Sequence, residues 1–293
     1  MLHRRRRKRT GKNYVVLRVR FKNSANAHYL SKETLMVIAF VNHKGGVGKT
    51  TCALNIGAGL RRQGKSVLLI DADAQANLTT SVGLSEEEPA TLYDVFHKTI
   101  DISKAIIQRH GEVDIIAGSL ELSALDVELA VNRIVRREEI LKSALEAVRS
   151  KYEYILIDCP PTLDICTYNA LASADGVFIP VSAEHLPIKG LNRILNVIRE
   201  IQESRINPLL EVAGVIVTRY NKQQTICRDI VATLQEKFGE KVFKSFIREN
   251  VTLKEFSYAQ KDVFRYAPNS LAATDFAHIT DEIVERYSFE LVS

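Results

Sequence analysis

Val41-Asn42-His43-Lys44-Gly45-Gly46-Val47-Gly48-Lys49-Thr50-Thr51 stands between an apolar run, Leu35 to Val41, and a stretch of helical spacing, Thr50 to Arg62, that Gly64 closes. A strand, a glycine-rich loop and a helix in that order form a cradle in which backbone N–H groups cup phosphate oxygens at a helix N-terminus. Gly48, Lys49 and Thr50 fit the Gly-x-x-x-x-Gly-Lys-Thr pattern, but His43 replaces its first glycine and a second lysine, Lys44, follows. Gly45, Gly46 and Gly48 permit the turn and the close approach; Lys49 is placed to reach the β and γ phosphates, and the Thr50 hydroxyl to ligate Mg²⁺. The expected ligand is a nucleoside triphosphate.

Working outward, apolar runs of five to seven residues at 35–41, 66–70, 113–117, 154–158, 176–181 and 212–217 alternate with amphipathic segments. That alternation predicts an α/β fold, a doubly wound, mostly parallel sheet flanked by helices. Ligands of such sheets sit at the carboxyl ends of the strands. The segment 44–51, Asp71, Asp73 and Asp158 all follow predicted strands, so they are expected to converge. Asp71 and Asp73 also suit a simpler role as turn formers or helix caps. The length from Met36 onward agrees with one large domain.

Four segments together resemble the ParA/MinD family of P-loop ATPases with a deviant Walker A motif. They are the Lys44 loop; Asp71-Ala72-Asp73-Ala74-Gln75-Ala76-Asn77 after its strand; Tyr154 to Asp158 followed by Cys159-Pro160-Pro161, in the form of a Walker B strand; and Thr218-Arg219-Tyr220-Asn221 after the last strand. Asn250-Val251-Thr252-Leu253-Lys254-Glu255 and Ala267-Pro268-Asn269-Ser270 look more like the ParA/Soj partition branch, and the resemblance runs from about Met36 to Tyr287. It implies a Mg²⁺-dependent ATPase of slow intrinsic turnover. Lys44, Gly45, Gly46, Val47, Gly48, Lys49, Thr50 and Thr51 would hold the nucleotide, with Asn221 against the adenine. Asp73 would activate the attacking water; Thr50, Asp71 and Asp158 would hold Mg²⁺; Lys49 and Lys44 would stabilise charge, Lys44 across a dimer that sandwiches two ATP molecules. The partners implied are a second copy of the chain, a centromere-binding ParB-like protein that stimulates hydrolysis, and non-specific DNA. Rival readings are a ParA-like ATPase that positions a protein cargo and a regulator locked by its nucleotide.

Charge divides the chain. Residues 1–35 hold eleven Lys or Arg and one acid, leaving 29 basic and 34 acidic residues beyond them, so the basic balance belongs to the extension. Two readings of 1–35 stand: the protein starts at Met36, or Arg4 to Arg9 and Lys12 form an arm that binds DNA through phosphates. Leu17, Val19 and Phe21 alternate with Arg18, Arg20 and Lys22, which suits an edge strand. Residues 219–266 hold ten basic and six acidic side chains. The sequence departs from partition relatives at Gln223 and Thr252, where an arginine often contacts DNA. Lys222, Arg228, Lys244, Arg248 and Lys254 are the substitutes considered for that contact. A membrane partner is not expected, because Ile283 to Ser293 is too short and too acidic for a basic amphipathic helix. No secretory segment is read, and Cys52, Cys159, Cys166 and Cys227 show no C-x-x-C pair. Reduced thiols in a cytoplasmic protein, associated with the nucleoid when ATP is bound, are expected.

Overall fold

The structure, a computed structural model, describes residues 36–287 except 86, 185–187 and 251–257, and the backbone of 17–19 and 28–30. Its strands are β1 (Leu17–Val19), β2 (His28–Leu30), β3 (Met36–Phe40), β4 (Val67–Asp71), β5 (Ile106–Ile107), β6 (Asp114–Ile116), β7 (Tyr154–Asp158), β8 (Gly176–Ser182) and β9 (Glu211–Thr218). The α-helices are α1 (Lys49–Arg62), α2 (Asn77–Ser81), α3 (Leu92–Phe96), α4 (Ile102–Ala105), α5 (Leu125–Val131), α6 (Ile140–Leu145), α7 (Ile165–Ser173), α8 (Ile188–Glu203), α9 (Thr225–Phe238), α10 (Val263–Tyr266) and α11 (Leu271–Tyr287).

Seven strands form one sheet in the order β5-β6-β4-β7-β3-β8-β9, parallel throughout except for β5. Helices cover both faces, which is why β3, β4 and β7 are buried along their whole length and read as unbroken apolar runs. Successive residues of β3 feed two cores: Val37 and Ala39 pack on one side, Met36, Ile38 and Phe40 on the other. On the second side Phe178 stands edge-on to Phe40 at 5.6 Å and to Phe243 at 5.3 Å between ring centroids. Each such contact adds about 0.5–1.5 kcal/mol beyond area burial.

Helix α1 is buried on most of its circumference, so its residues are small where other elements press on it. A Cβ at Gly59 would lie 2.3 Å from Thr280 Oγ1 on α11. Glycine there costs about 1 kcal/mol of helix propensity and permits the contact.

Two expectations change. The strand expected near 14–22 is present as Leu17–Val19, but it pairs antiparallel with β2 in a separate two-stranded sheet and is no edge of the main one. The main sheet instead gains β5, whose two residues pair antiparallel with Ile115 and Ile116.

Candidate nucleotide-binding site

Register brings the acids together. Asp71 ends β4 opposite Asp158, which ends β7, and Asp158 is in turn opposite Phe40 of β3. The glycine loop leaves β3 directly above that row. Asn42 holds the departure: its Nδ2 donates to Pro180 O at 2.6 Å, and its Oδ1 accepts from Lys44 N at 3.0 Å. Gly46 and Gly48 take φ of 72° and 93°, the left-handed region that favours glycine. Thr218 Oγ1 donates to Val47 O at 2.8 Å and Arg219 Nη2 to Gly46 O at 2.9 Å, so the end of β9 occupies carbonyls of the loop. No side chain caps α1 at Gly48 and its first turn holds no acid. The N–H groups and positive end of a fourteen-residue helix are therefore left for an anion.

Lys49, the first residue of α1, is 7% exposed. Burial lowers its pKa, and the charges of Asp158, Cys159 and Asp73 oppose that fall. Asp158 is fully buried, and neither of its carboxylate oxygens has a hydrogen-bond partner among the described residues. Burial, then the Asp71 charge, push its carboxyl well above the usual range; the Thr50 hydroxyl nearby and the Lys49 charge pull it back. Asp71 Oδ2 accepts from Thr79 N at 2.8 Å and Thr79 Oγ1 at 2.7 Å, its Oδ1 from Asp73 N at 3.2 Å, yet burial still raises its pKa to about 6. Asp73 Oδ1 accepts from Gln75 N at 3.0 Å. Two buried carboxylates in register, one of them orphaned, suit a divalent cation, whose charge reverses the protonation logic of such a site. The residues present fit Mg²⁺.

The adjoining cleft holds about 770 Å³ and is lined by the loop from Gly45 to Thr51, with Asp73, Thr218, Arg219 and Arg248 among its other walls. Asp71 and Asp158 lie beneath it, while Lys44 is exposed outside its lining. Asn221 stands outside the lining of this cleft, and its Oδ1 accepts from Gln223 N at 3.0 Å in a local turn. Arg248, a residue of the cleft wall, is engaged within the fold. Its Nε donates to Asp275 Oδ1 at 3.0 Å and its Nη2 pairs with the same carboxylate, so its charge is matched inside the fold. Lys222, Arg228 and Lys244 are exposed, with Arg228 Nη2 bonded to Thr225 Oγ1 at 3.2 Å. Lys254 and Thr252 fall outside the described residues.

Sequence reasoning passed over Arg219, Thr79 and Gly118. Arg219 stands in a quoted motif, but its reach back to Gly46 depends on a φ of 51° that the residue type does not announce. Gly118 N donates to Thr79 Oγ1 at 2.9 Å, and a Cβ there would lie 2.9 Å from Asp71 Cγ. A glycine just after a predicted strand was the available signal.

A phosphate cradle at a helix N-terminus, two acidic strand ends beneath it and a mostly parallel sheet define a P-loop nucleoside triphosphatase of the lysine-signature kind. A family described as AAA domain matches residues 35–212. The chain is 35% identical over 261 residues to chromosome partitioning protein ParA of Caulobacter vibrioides, covering 88% of this chain and 97% of that one. It is 37% identical over 251 residues to sporulation initiation inhibitor protein Soj of Bacillus subtilis, covering 84% and 97%. Among solved structures it resembles cobyrinic acid a,c-diamide synthase from Mycobacterium smegmatis with bound ATP analogue and magnesium, at a TM-score of 0.75 and 28% identity over 86% of this chain and 95% of that one. The chain belongs to the ParA/Soj family of P-loop ATPases.

Proposed function

We propose that this chain is a partition ATPase: it binds ATP with Mg²⁺, pairs with a second copy in that state, holds DNA without sequence preference, and lets go when a centromere-binding partner stimulates hydrolysis. The observation that carries this reading is the buried Lys49–Asp71–Asp73–Asp158 cluster at the foot of the phosphate loop.

In the proposed reaction the N–H groups at the start of α1 and the Lys49 ammonium hold the β and γ phosphates. Asp73 orients a water molecule in line with the γ phosphorus and takes up its proton. The new P–O bond forms as the bond from the γ phosphorus to the β-bridging oxygen breaks, giving ADP and inorganic phosphate. Bound Mg²⁺ would supply charge neutralisation at the phosphate oxygens, with Thr50, Asp71 and Asp158 holding it directly or through water. Lys44 would reach the phosphates of the other subunit, which its exposure outside the cleft permits. The site would then be complete only in the dimer, which accounts for slow turnover without a partner.

Replacing the water-orienting carboxylate tests this chemistry. Asp73→Ala is expected to lower the steady-state hydrolysis rate by about 100-fold or more while ATP still binds within about threefold of the parent. Hydrolysis at the parent rate would remove Asp73 from the mechanism.

A further inference from the structure

A second cavity, of about 570 Å³, opens between the C-terminal end of α1, the residues leading into β6 and the segment that carries α10. Its wall brings together Arg61, Arg62, Arg109, Lys261 and Arg265 against two acids, Glu112 and Asp262. Glu112 serves two of the cations: Arg109 Nη2 lies 2.7 Å from its carboxylate, and Arg265 Nη1 pairs with the other oxygen. Its backbone carbonyl accepts from Arg61 Nε at 3.2 Å. Asp262 spends its carboxylate on Phe264 N at 2.9 Å and Arg265 N at 3.1 Å, the first turn of α10. The Arg62 guanidinium lies 4.8 Å over the Phe264 ring, and among the described residues neither it nor Lys261 has a carboxylate within ion-pair distance.

Three positive charges are thus left over in one concavity of a chain that is net acidic beyond residue 35. Like charges gathered round a recess repel one another unless an anion enters, and the recess concentrates their field. Arg61, Arg62, Lys261 and Arg265 are all exposed at its rim, which leaves them open to a ligand larger than the recess itself.

This cavity also abuts the nucleotide site. Gln260 and Leu54 line both recesses. Val82, in the wall of the basic cavity, follows directly on α2, whose Asn77, Thr80 and Ser81 line the nucleotide cleft. Gly83, at φ 80°, packs so closely on Gln260 that a Cβ there would be 3.2 Å from Gln260 Oε1. The Asp73–Ser81 side of the nucleotide cleft is thereby joined through Val82, Gly83 and Gln260 to both walls of the basic recess.

We propose that this cavity is an anion site that takes successive phosphate groups of a DNA backbone, with its shape set by the nucleotide through Val82, Gly83 and Gln260. It rests on the DNA-binding reading above and places the contact on Arg61, Arg62 and Lys261, which have no carboxylate partner among the described residues, rather than on Arg248, which pairs with Asp275.

The test uses the full chain with Arg62→Gln and Lys261→Gln combined, and Lys261→Glu alone as an exposed change that the fold tolerates. Anisotropy of a labelled random-sequence duplex is titrated with each protein in MgATP and in MgADP over a range of salt; tripolyphosphate, a free source of the same chemistry, is tested by its thermal shift. Expected are a loss of about tenfold in ATP-state affinity and a salt slope shallower by about two for the double variant. A weaker loss is expected for Lys261→Glu, and MgATP affinity is unchanged in both. Parent-like DNA affinity and slope in both variants, with the parent itself binding, would overturn the cavity and leave the DNA reading standing. No ATP-dependent binding by the parent would overturn the reading and the cavity with it. A tripolyphosphate shift lost in the variants while DNA affinity stays would overturn the DNA assignment in favour of a small phosphate ligand.

Discussion

Asp158 ends the central strand of the site with both oxygens buried and no hydrogen bond made to them among the described residues, the Thr50 hydroxyl and Lys49 lying nearby. Its neighbour Asp71 is also buried, with a pKa raised to about 6. For a carboxyl whose pKa is raised in the folded state, the stabilising contribution is fully present below its ordinary pKa and is lost as pH rises through the folded value. Without nucleotide, Asp71 thus supports the fold most near pH 4 and loses that support as pH rises through about 6, and Asp158 contributes in the same direction. Mg²⁺ needs both groups ionised, so the thermal shift given by MgATP is expected to be greater at pH 7.5 than at pH 5 by about 3 °C or more. Asp158→Asn should flatten that difference. Differential scanning fluorimetry at the two pH values checks it, and equal shifts in the parent would contradict the placement of the cation beside these carboxylates. Asp71 and Asp158 were legible as residues because a run of apolar residues ending in a charge is rare in a buried strand, and Lys49 because it closes the glycine-rich loop. Arg248 was not, because the Asp275 that neutralises it lies 27 positions away and only tertiary packing joins them.

At the scale of elements, the strands were legible where helices cover both faces, since burial on two sides leaves no polar alternation to blur the run. β7 begins and ends where the sequence places it, at Tyr154 and Asp158. β5 was not, because two residues carry no periodicity. Asn221 was legible as a residue but not in its local turn, where its Oδ1 accepts from Gln223 N. The end of β6 supplies a prediction. Gly118 sits where a Cβ would lie 2.9 Å from both Asp71 Cγ and Asp71 O. Gly118→Ala is expected to cost about 1–3 kcal/mol through overpacking and to weaken MgATP binding by shifting Asp71. Gly45→Ala, whose Cβ meets nothing within 4 Å, should leave stability within about 0.5 kcal/mol of the parent. Chemical denaturation of the two variants separates the cases; equal stabilities would show that the β6 end does not press on the acidic row.

Over the whole molecule, the described residues carry the nucleotide cleft and the basic recess on adjacent sides of the 77–83 and 258–265 segments, while the extension 1–35 holds a separate store of positive charge. No helix among the described residues is long and apolar enough to cross a membrane. DNA affinity thus has two proposed sources, and only one of them is placed to answer to nucleotide: the charge of 1–35 is the same whatever occupies the cleft, whereas the recess shares Leu54 and Gln260 with it. The most direct measurement is the affinity of the full chain for non-specific duplex DNA near physiological salt, in MgATP and in MgADP. The account predicts binding tighter by about tenfold or more with ATP, a coupling of about 1.4 kcal/mol or more between the two ligands. Equal affinity in the two nucleotides would contradict it and leave the ATPase without control of DNA.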